Sequence, residues 1–435
     1  MSPPPAAASR REIWSWALYD FANSAFATTI LAVVFQLYFI HSLGAGESRW
    51  GYAISISMVI SAVIAPVLGA ICDYTASKRR ALLVLWGLGC AATMLLGVPN
   101  GWLAAAGLFI LANLGFEAGS AVYNGFLPEI APGEAASRIS AIGWACGYIG
   151  GALHLLLALV AIKFPQWFGL DAGASTRIAI SSVGLWWCLF SLPMFLWLRE
   201  RAIPHKLPPG DSLLRAGFRK VSTTIRNIRR LPTLTRFTIA YLIFNDGVQT
   251  VIVMAANFGS KPPISMTQDQ LILCFLMIQG VAAVGSLIFM FLSRRLGDKR
   301  ALVGSLFIWC AVIGWAFVIH RQVEFWILGV AVGLVMGGTQ AIARSILSRF
   351  TPPSSAAEFF GFYSITGKLA SAMGPALYAT VFVLTQSSQW SVLSVGIFFV
   401  AGLIILRPVD EAKGIAEAEI EEKRLTAGAE GGQVQ

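Results

Sequence analysis

The chain has 435 residues, 56% of them hydrophobic and only 12% charged, with a mean hydropathy of +0.70. Soluble domains carry about 25% charged residues, so this composition excludes a water-soluble protein. The net charge of +10 is spread over several short loops between apolar runs, which excludes a nucleic-acid surface and makes the charge a signal of membrane topology.

A helix crosses the hydrocarbon layer with about 20 apolar residues. Twelve runs meet that need, at roughly 13–41, 50–72, 80–98, 101–122, 138–162, 176–198, 235–258, 268–292, 300–319, 324–347, 358–384 and 388–407. They are continuous rather than alternating, which excludes a barrel of strands. The apolar run after Arg11 is too long for the core of a signal peptide and reads as the first span. The expected fold is an all-α integral membrane protein, with twelve transmembrane helices in two six-helix bundles related by a pseudo-two-fold.

Residues 1–12 form a short start, 13–198 the first bundle, 199–234 a linker, 235–407 the second bundle and 408–435 a charged tail. In the linker, Leu213, Leu214, Phe218, Val221, Ile225 and Ile228 recur at helical spacing between basic residues. That pattern predicts an amphipathic helix on the membrane surface. In the tail, Pro408 ends the last span, Glu411 to Arg424 predicts a short charged helix, and the Gly/Ala/Gln end is expected to be disordered.

An even number of spans puts both termini on one side. That side holds 26 Lys and Arg residues against five opposite, so the termini are expected in the cytoplasm and the protein in the cell (inner) membrane. The six cysteines fall one per span without paired spacing and read as packing residues.

The two halves echo each other. Ala65 to Leu82 and Ser293 to Leu302 are each an apolar helix end, a tight basic loop and a return into another apolar helix. Asp20 pairs with Asp246 at an offset of 226, Arg80 with Arg300 at 220 and Gly150 with Gly374 at 224. Parallel repeats of this kind build many secondary transporters.

The helix–loop–helix with Gly69, Asp73 and Lys78-Arg79-Arg80 resembles the loop signature of the major facilitator superfamily. Trp16 to Phe26, Phe126-Leu127-Pro128-Glu129-Ile130 and Ala357 to Tyr363 resemble its "unknown major facilitator" branch, which includes fungal vacuolar amino-acid effluxers linked to autophagy. The resemblance spans nearly all of residues 11–407. It implies the two-bundle fold, a central cavity open alternately to each side, and transport of a small solute. The chain departs from the signature at Tyr74, where a basic residue is common, and in the second copy, where Ser293 or Arg294 stands in place of the acid.

A charge inside the bilayer costs about 2.5–3.5 kcal/mol and therefore needs a role. Asp20, with Asn23 a turn further on, reads either as a proton or substrate-amine site or as a helix-capping carboxylate. Asn113, Glu117 and Ser120 or Asn124 share a helical face; they read as a polar groove suited to proton coupling, or as interhelical hydrogen bonds. Asp246 and Gln249 mark the seventh span, beside a flexible Gly247. Lys368 is the one basic residue inside a span, placed to meet an acid or a substrate carboxylate, or to snorkel to the interface. His154 reads as a neutral core residue or a proton relay. Gly69, Asp73, Arg79, Arg80, Arg295 and Arg300 form the expected cytoplasmic gate.

These readings predict a secondary transporter of a small polar solute working by alternating access, with proton coupling and amino-acid export as refinements. A lipid or drug exporter on the same fold is the alternative, and a non-transporting receptor a weaker one. The partners expected are a small-molecule substrate, the lipid bilayer and protons, with no nucleic acid, no cofactor and a monomeric chain. No catalytic or metal-binding spacing is found, so the chain does not read as an enzyme.

Overall fold

The computed structural model describes residues 8–75, 77–130, 135–201, 212, 231–351 and 372–431. Helix α1 (Arg10–Ser42) starts on a capping box. The Ser9 amide donates to Glu12 Oε2 at 2.9 Å, and the Glu12 amide donates back to Ser9 Oγ at 3.3 Å. There follow α2 (Glu47–Thr75), α3 (Lys78–Leu95), α4 (Trp102–Asn124), α5 (Ala135–Lys163) and α6 (Ala172–Trp197). Then come α7 (Pro232–Ser260), α8 (Gln268–Leu296), α9 (Asp298–Val318), α10 (Gln322–Phe350), α11 (Met373–Thr385), α12 (Ser388–Leu406) and α13 (Glu411–Gly431).

Nine helical stretches among the described residues are long and apolar enough to cross a membrane: α1, α4, the Cys146–Lys163 part of α5, α6, most of α8 and α10, and all of α7, α9 and α12. Helices α2, α3 and α11 occupy the places of the other three expected runs, α11 being the described part of 358–384. The amphipathic helix expected at Leu213 to Ile228 and Lys368 lie outside the described residues. Helix α13 runs to Gly431, which corrects the expectation of disorder after Arg424 as far as that residue.

Helix α1 is not the uninterrupted helix that its apolar pattern predicts. It becomes π-helical over Phe26–Ala32, breaks at Val33 (φ −138°, ψ −70°), and is π-helical again over Tyr38–Ser42. Thr28 at the start of the break is part of the reason. Its hydroxyl lies within reach of the carbonyls of Ser24 (3.2 Å), Ala25 (3.3 Å) and Gly151 (3.1 Å), so it competes for the ladder and ties it to α5.

The chain divides into two compact units, Met1–Phe218 with Val253–Leu276, and Arg219–Ile252 with Met277–Gln435. The division cuts α7 after Ile252 and α8 after Leu276. In the first unit α1 packs on α5 and α6, α3 on α4 and α6, and α2 on α4. A methyl group on Gly115 would sit 2.6 Å from Gly89 Cα, so α3 and α4 cross backbone to backbone. In the second unit α9 packs on α10 and α12, and α11 on α12. There the buried Trp309 stacks on Phe399 at 5.1 Å and donates to Thr339 Oγ1 at 3.1 Å. The α3 pairings thus recur six helices later, as an internal repeat requires.

Candidate solute-path and gate residues

The end of each unit where Arg10 and Asp298 lie is called the near end below, and the opposite end the far end. At the near end of the first unit, Trp16 and Tyr19 of α1 meet Tyr123 of α4 and Phe126 and Ile130 of the turn behind it. The rings of Trp16 and Tyr123 stack at 4.6 Å, and those of Tyr19 and Tyr123 at 4.7 Å. Two separate sequence motifs, Trp16 to Phe26 and Phe126 to Ile130, are thus one buried aromatic cluster.

Asp20 lies one turn beyond Trp16, half-buried against α5. A methyl group on Gly143 would sit 3.1 Å from Asp20 Oδ2, and one on Gly147 2.7 Å from Ser24 Oγ. The helix-capping reading of Asp20 does not hold, because Ser9 and Glu12 cap α1 and Asp20 is well inside it. The second unit repeats the arrangement more tightly. A methyl group on Gly374 would sit 1.8 Å from Thr250 Oγ1 and 2.8 Å from Asp246 Oδ1. Asp20/Asp246 and Ser24/Thr250 are both 226 residues apart, so the contacts pair Gly374 with Gly147. Gly150, the partner chosen on sequence, packs instead on the Phe21 carbonyl.

The two acids differ in their surroundings. Asp246 is fully buried, and neither carboxylate oxygen has a hydrogen bond within the described residues. Among the described residues, the Gly374 amide faces it without reaching hydrogen-bond geometry. The Thr250 hydroxyl is turned away, donating to the Asp246 carbonyl at 2.7 Å.

The other polar candidates separate. Asn23 is buried, and Gln249 is half-buried beside the buried Asn245. Asn113 is fully buried and donates to Ser57 Oγ at 2.7 Å, tying α4 to α2. Glu117, one turn on, is half-buried, and Asn124 at the end of α4 is exposed. His154 is held between hydroxyls, Thr29 Oγ1 at 3.0 Å from Nδ1 and Ser182 Oγ at 3.2 Å from Nε2.

The near-end loops are built on carboxylate caps. Glu200, just after α6, accepts from the amides of Lys78 at 2.6 Å and Arg79 at 3.2 Å, where α3 begins. The Arg79 guanidinium donates to the Phe195 carbonyl, and Lys78 Nζ to the Gly125 carbonyl at 3.2 Å. In the second unit Glu411, just after α12, accepts from the Lys299 amide at 2.5 Å, where α9 begins. It also pairs with Arg349 at 3.0 Å, which in turn pairs with Asp298 at 2.5 Å. The Ser293 hydroxyl donates to Asp298, so an acid does reach the position where the second copy of the loop signature lacks one. Farther along α13, Glu417 accepts from the Thr233 amide at 3.0 Å, at the start of α7. Of the expected gate residues, Arg80 and Arg300 are exposed, and Arg295 lies over the Phe291 ring at 4.4 Å. Gly69 and Asp73 belong to the last turns of α2.

The sequence profile of the family described as "Vacuole effluxer Atg22 like" matches residues 37–419. The chain belongs to that family. The "Uncharacterized MFS-type transporter YxiO" of Bacillus subtilis (strain 168) is 32% identical over 408 residues, covering 91% of this chain and 94% of its own. Autophagy-related protein 22 of Eremothecium gossypii is 24% identical, covering 96% and 95%. Among solved structures, the D-xylose-proton symporter superposes with a TM-score of 0.69 at 14% identity, covering 93% of this chain and 98% of its own. The nucleoside transporter NupG gives 0.66 at 12%, covering 92% and 98%. These likenesses show the major facilitator fold, and this Atg22-like protein is a multi-pass membrane transporter of that type.

Sequence reasoning missed the caps Glu200 and Glu411 of this Atg22-like chain. Their signal was an acid three to five residues beyond the sixth and twelfth helices, in segments read as a surface helix and a charged tail rather than for caps. It also missed Gln36, a buried amide in an otherwise apolar stretch of α1.

Proposed function

We propose that this protein moves a small polar solute by alternating access, with uptake or release of a proton at Asp246 as the coupling step. The observation that carries the reading is the burial of the Asp246 carboxylate without a hydrogen bond among the described residues. An ionised carboxylate in that setting is costly unless a proton, a cationic group of the solute or a protein cation neutralises it. Asp20, the matching acid of the first half, is half-buried, so the two sites differ in solvent access. A solute bearing both an amine and a carboxylate matches the chemistry of the acids Asp20 and Asp246 and of Lys368, which lies outside the described residues. Amino-acid export is therefore the favoured activity, and the effluxer description of the family supports that direction. The distribution of Lys and Arg supports near ends in the cytoplasm.

The test is uptake from a mixed metabolite pool into proteoliposomes, with and without a pH gradient, read by mass spectrometry. Gradient-dependent accumulation of amino acids is the expected result. Folded protein that moves no polar solute under either condition overturns the reading and turns attention to lipid substrates.

A further inference from the structure

Arg300, one of the expected gate residues, takes no part in the cluster of Arg349, Asp298 and Glu411 beside it. It lines a cavity of about 540 Å³ at the near end of the second unit, between the start of α9 and the turn from α12 to α13. Leu296, Val303 and Val409 give the cavity its apolar wall, and Lys299 stands with Arg300 on the polar side. Lys299 Nζ donates to the Arg407 carbonyl at 2.9 Å, which brings a third cationic residue to the rim. Arg300 and Arg407 are exposed, and neither guanidinium has a hydrogen bond or ion pair among the described residues.

The acids of the same rim are engaged. Glu411 accepts from the Lys299 amide and pairs with Arg349. Asp298 is held by Arg349 and the Ser293 hydroxyl. Asp410 accepts from the Lys413 amide at 3.1 Å, at the start of α13. The uncommitted charge at this rim is therefore positive.

Apolar stripes run from these cations along two membrane-spanning helices. On α9, Arg300, Gly304, Phe307, Ala311 and Gly314 recur at helical spacing, and all are exposed. A methyl group on Gly304 or Gly314 would meet nothing within 4 Å, so this face is a shallow trough on either side of Phe307. On α12, which packs on α9, Ile397, Val400, Ile404 and Arg407 form a second exposed face. Each stripe ends in an arginine where its span leaves the hydrocarbon. The first half does not repeat the trough. At the offset of 220 that pairs Arg80 with Arg300, Val84 takes the place of Gly304 and is 69% exposed, so a side chain projects where the second half is open.

We propose that this cavity binds an anionic phospholipid: Lys299, Arg300 and Arg407 hold the phosphate-bearing headgroup, and an acyl chain lies along the trough of α9. Cations at the surface of a membrane attract such headgroups, and the stripe supplies the apolar contact that a free anion would not use. Bound there, the lipid joins α9 to the α12–α13 turn and stabilises the folded protein. The proposal rests on the chain crossing a membrane, and not on the transported solute or on proton coupling.

For the test, the full chain is purified in detergent, freed of lipid, and titrated with phosphatidylglycerol or with phosphatidylcholine of the same acyl chains. Native mass spectrometry counts the bound lipid. Phosphatidylglycerol is expected to bind roughly tenfold more tightly and to raise the melting temperature. Arg300→Gln with Arg407→Gln should abolish that preference, whereas Arg80→Gln, the matching change in the first half, should leave it. Gly304→Leu keeps every charge and fills the trough, and should weaken phosphatidylglycerol binding several-fold. The substituted side chains are exposed, and monodisperse elution with unchanged melting in the absence of lipid confirms folding; Arg300→Gln alone serves if the double variant does not elute as one peak. Equal affinity for the two lipids, a preference that survives the arginine changes, or full binding by Gly304→Leu overturns the proposal. Inorganic phosphate that matches the lipid in raising the melting temperature overturns it too, assigning the cavity to a free anion. Lipid binding is read without any solute, so failure here is separate from failure of the proposed activity.

Discussion

Trp16 and Tyr123 hold each other twice: the indole N–H of Trp16 donates to the Tyr123 carbonyl at 3.3 Å, and the Tyr123 hydroxyl donates to the Trp16 carbonyl at 3.0 Å. With the two rings stacked, this reciprocal pair fixes α1 to α4 at the near end. Tyr123→Phe removes one bond and keeps the stack, and is expected to lower unfolding stability by about 1 kcal/mol. Trp16→Phe removes the other bond at similar or greater cost. Thermal unfolding of the purified variants checks both, and full additivity in the double variant would show that the two bonds do not act as a unit.

Gly374→Ala is expected to abolish folding or reduce transport by roughly tenfold or more, because the new methyl group falls 1.8 Å from Thr250 Oγ1. Thr250→Ala removes that oxygen and should partly rescue the variant. Expression level and transport of the single and double variants decide it. Wild-type behaviour of Gly374→Ala alone would contradict the close approach of α11 to α7.

Asp246→Asn keeps the shape of the side chain and cannot carry the proposed coupling proton. Gradient-driven accumulation is expected to fall by roughly tenfold, while exchange of solute across the membrane without a gradient continues. Asp20→Asn, at a half-buried site, is expected to change coupling less. Paired measurements of gradient-driven uptake and counterflow separate the two, and unimpaired accumulation in Asp246→Asn removes Asp246 from the coupling step.

Glu411→Ala strips the cap from the Lys299 amide and a partner from Arg349. A cost of about 0.5–2 kcal/mol is expected, as for other lost helix caps. Glu200→Ala should cost a similar amount at the matching position in the first half. Melting temperatures test the pair, and a large effect at one site with none at the other would break the equivalence.

Much of the fold was legible in the sequence, because a span must be long and apolar whatever its neighbours. The ends of α8 and α12 fall within a few residues of the expected boundaries for that reason. The repeat was legible too, but its register was not. Gly150 and Gly374 agree in residue type, whereas only the contacts of Ser24 and Thr250 show that Gly147 is the true counterpart. Burial was hidden for a different reason. Asp20 and Asp246 look alike as letters, and what distinguishes them is the packing of distant segments around each. Glu200 and Glu411 were lost because a carboxylate cap depends on where the next helix begins in space.

The wide turns in α1 carry a consequence for every position beyond them. In an uninterrupted α-helix, at 100° per residue, Gln36 would point about 160° away from Asp20. A π-helical run advances less per residue, so Phe26–Ala32 acts as a phase shifter between the two halves of the span. A wheel drawn from the sequence therefore misassigns the inward and outward faces of everything after Ala25. Deleting one residue from that run would return the ladder to ordinary spacing and twist the far half of α1 out of register with α7, leaving the near half where it was.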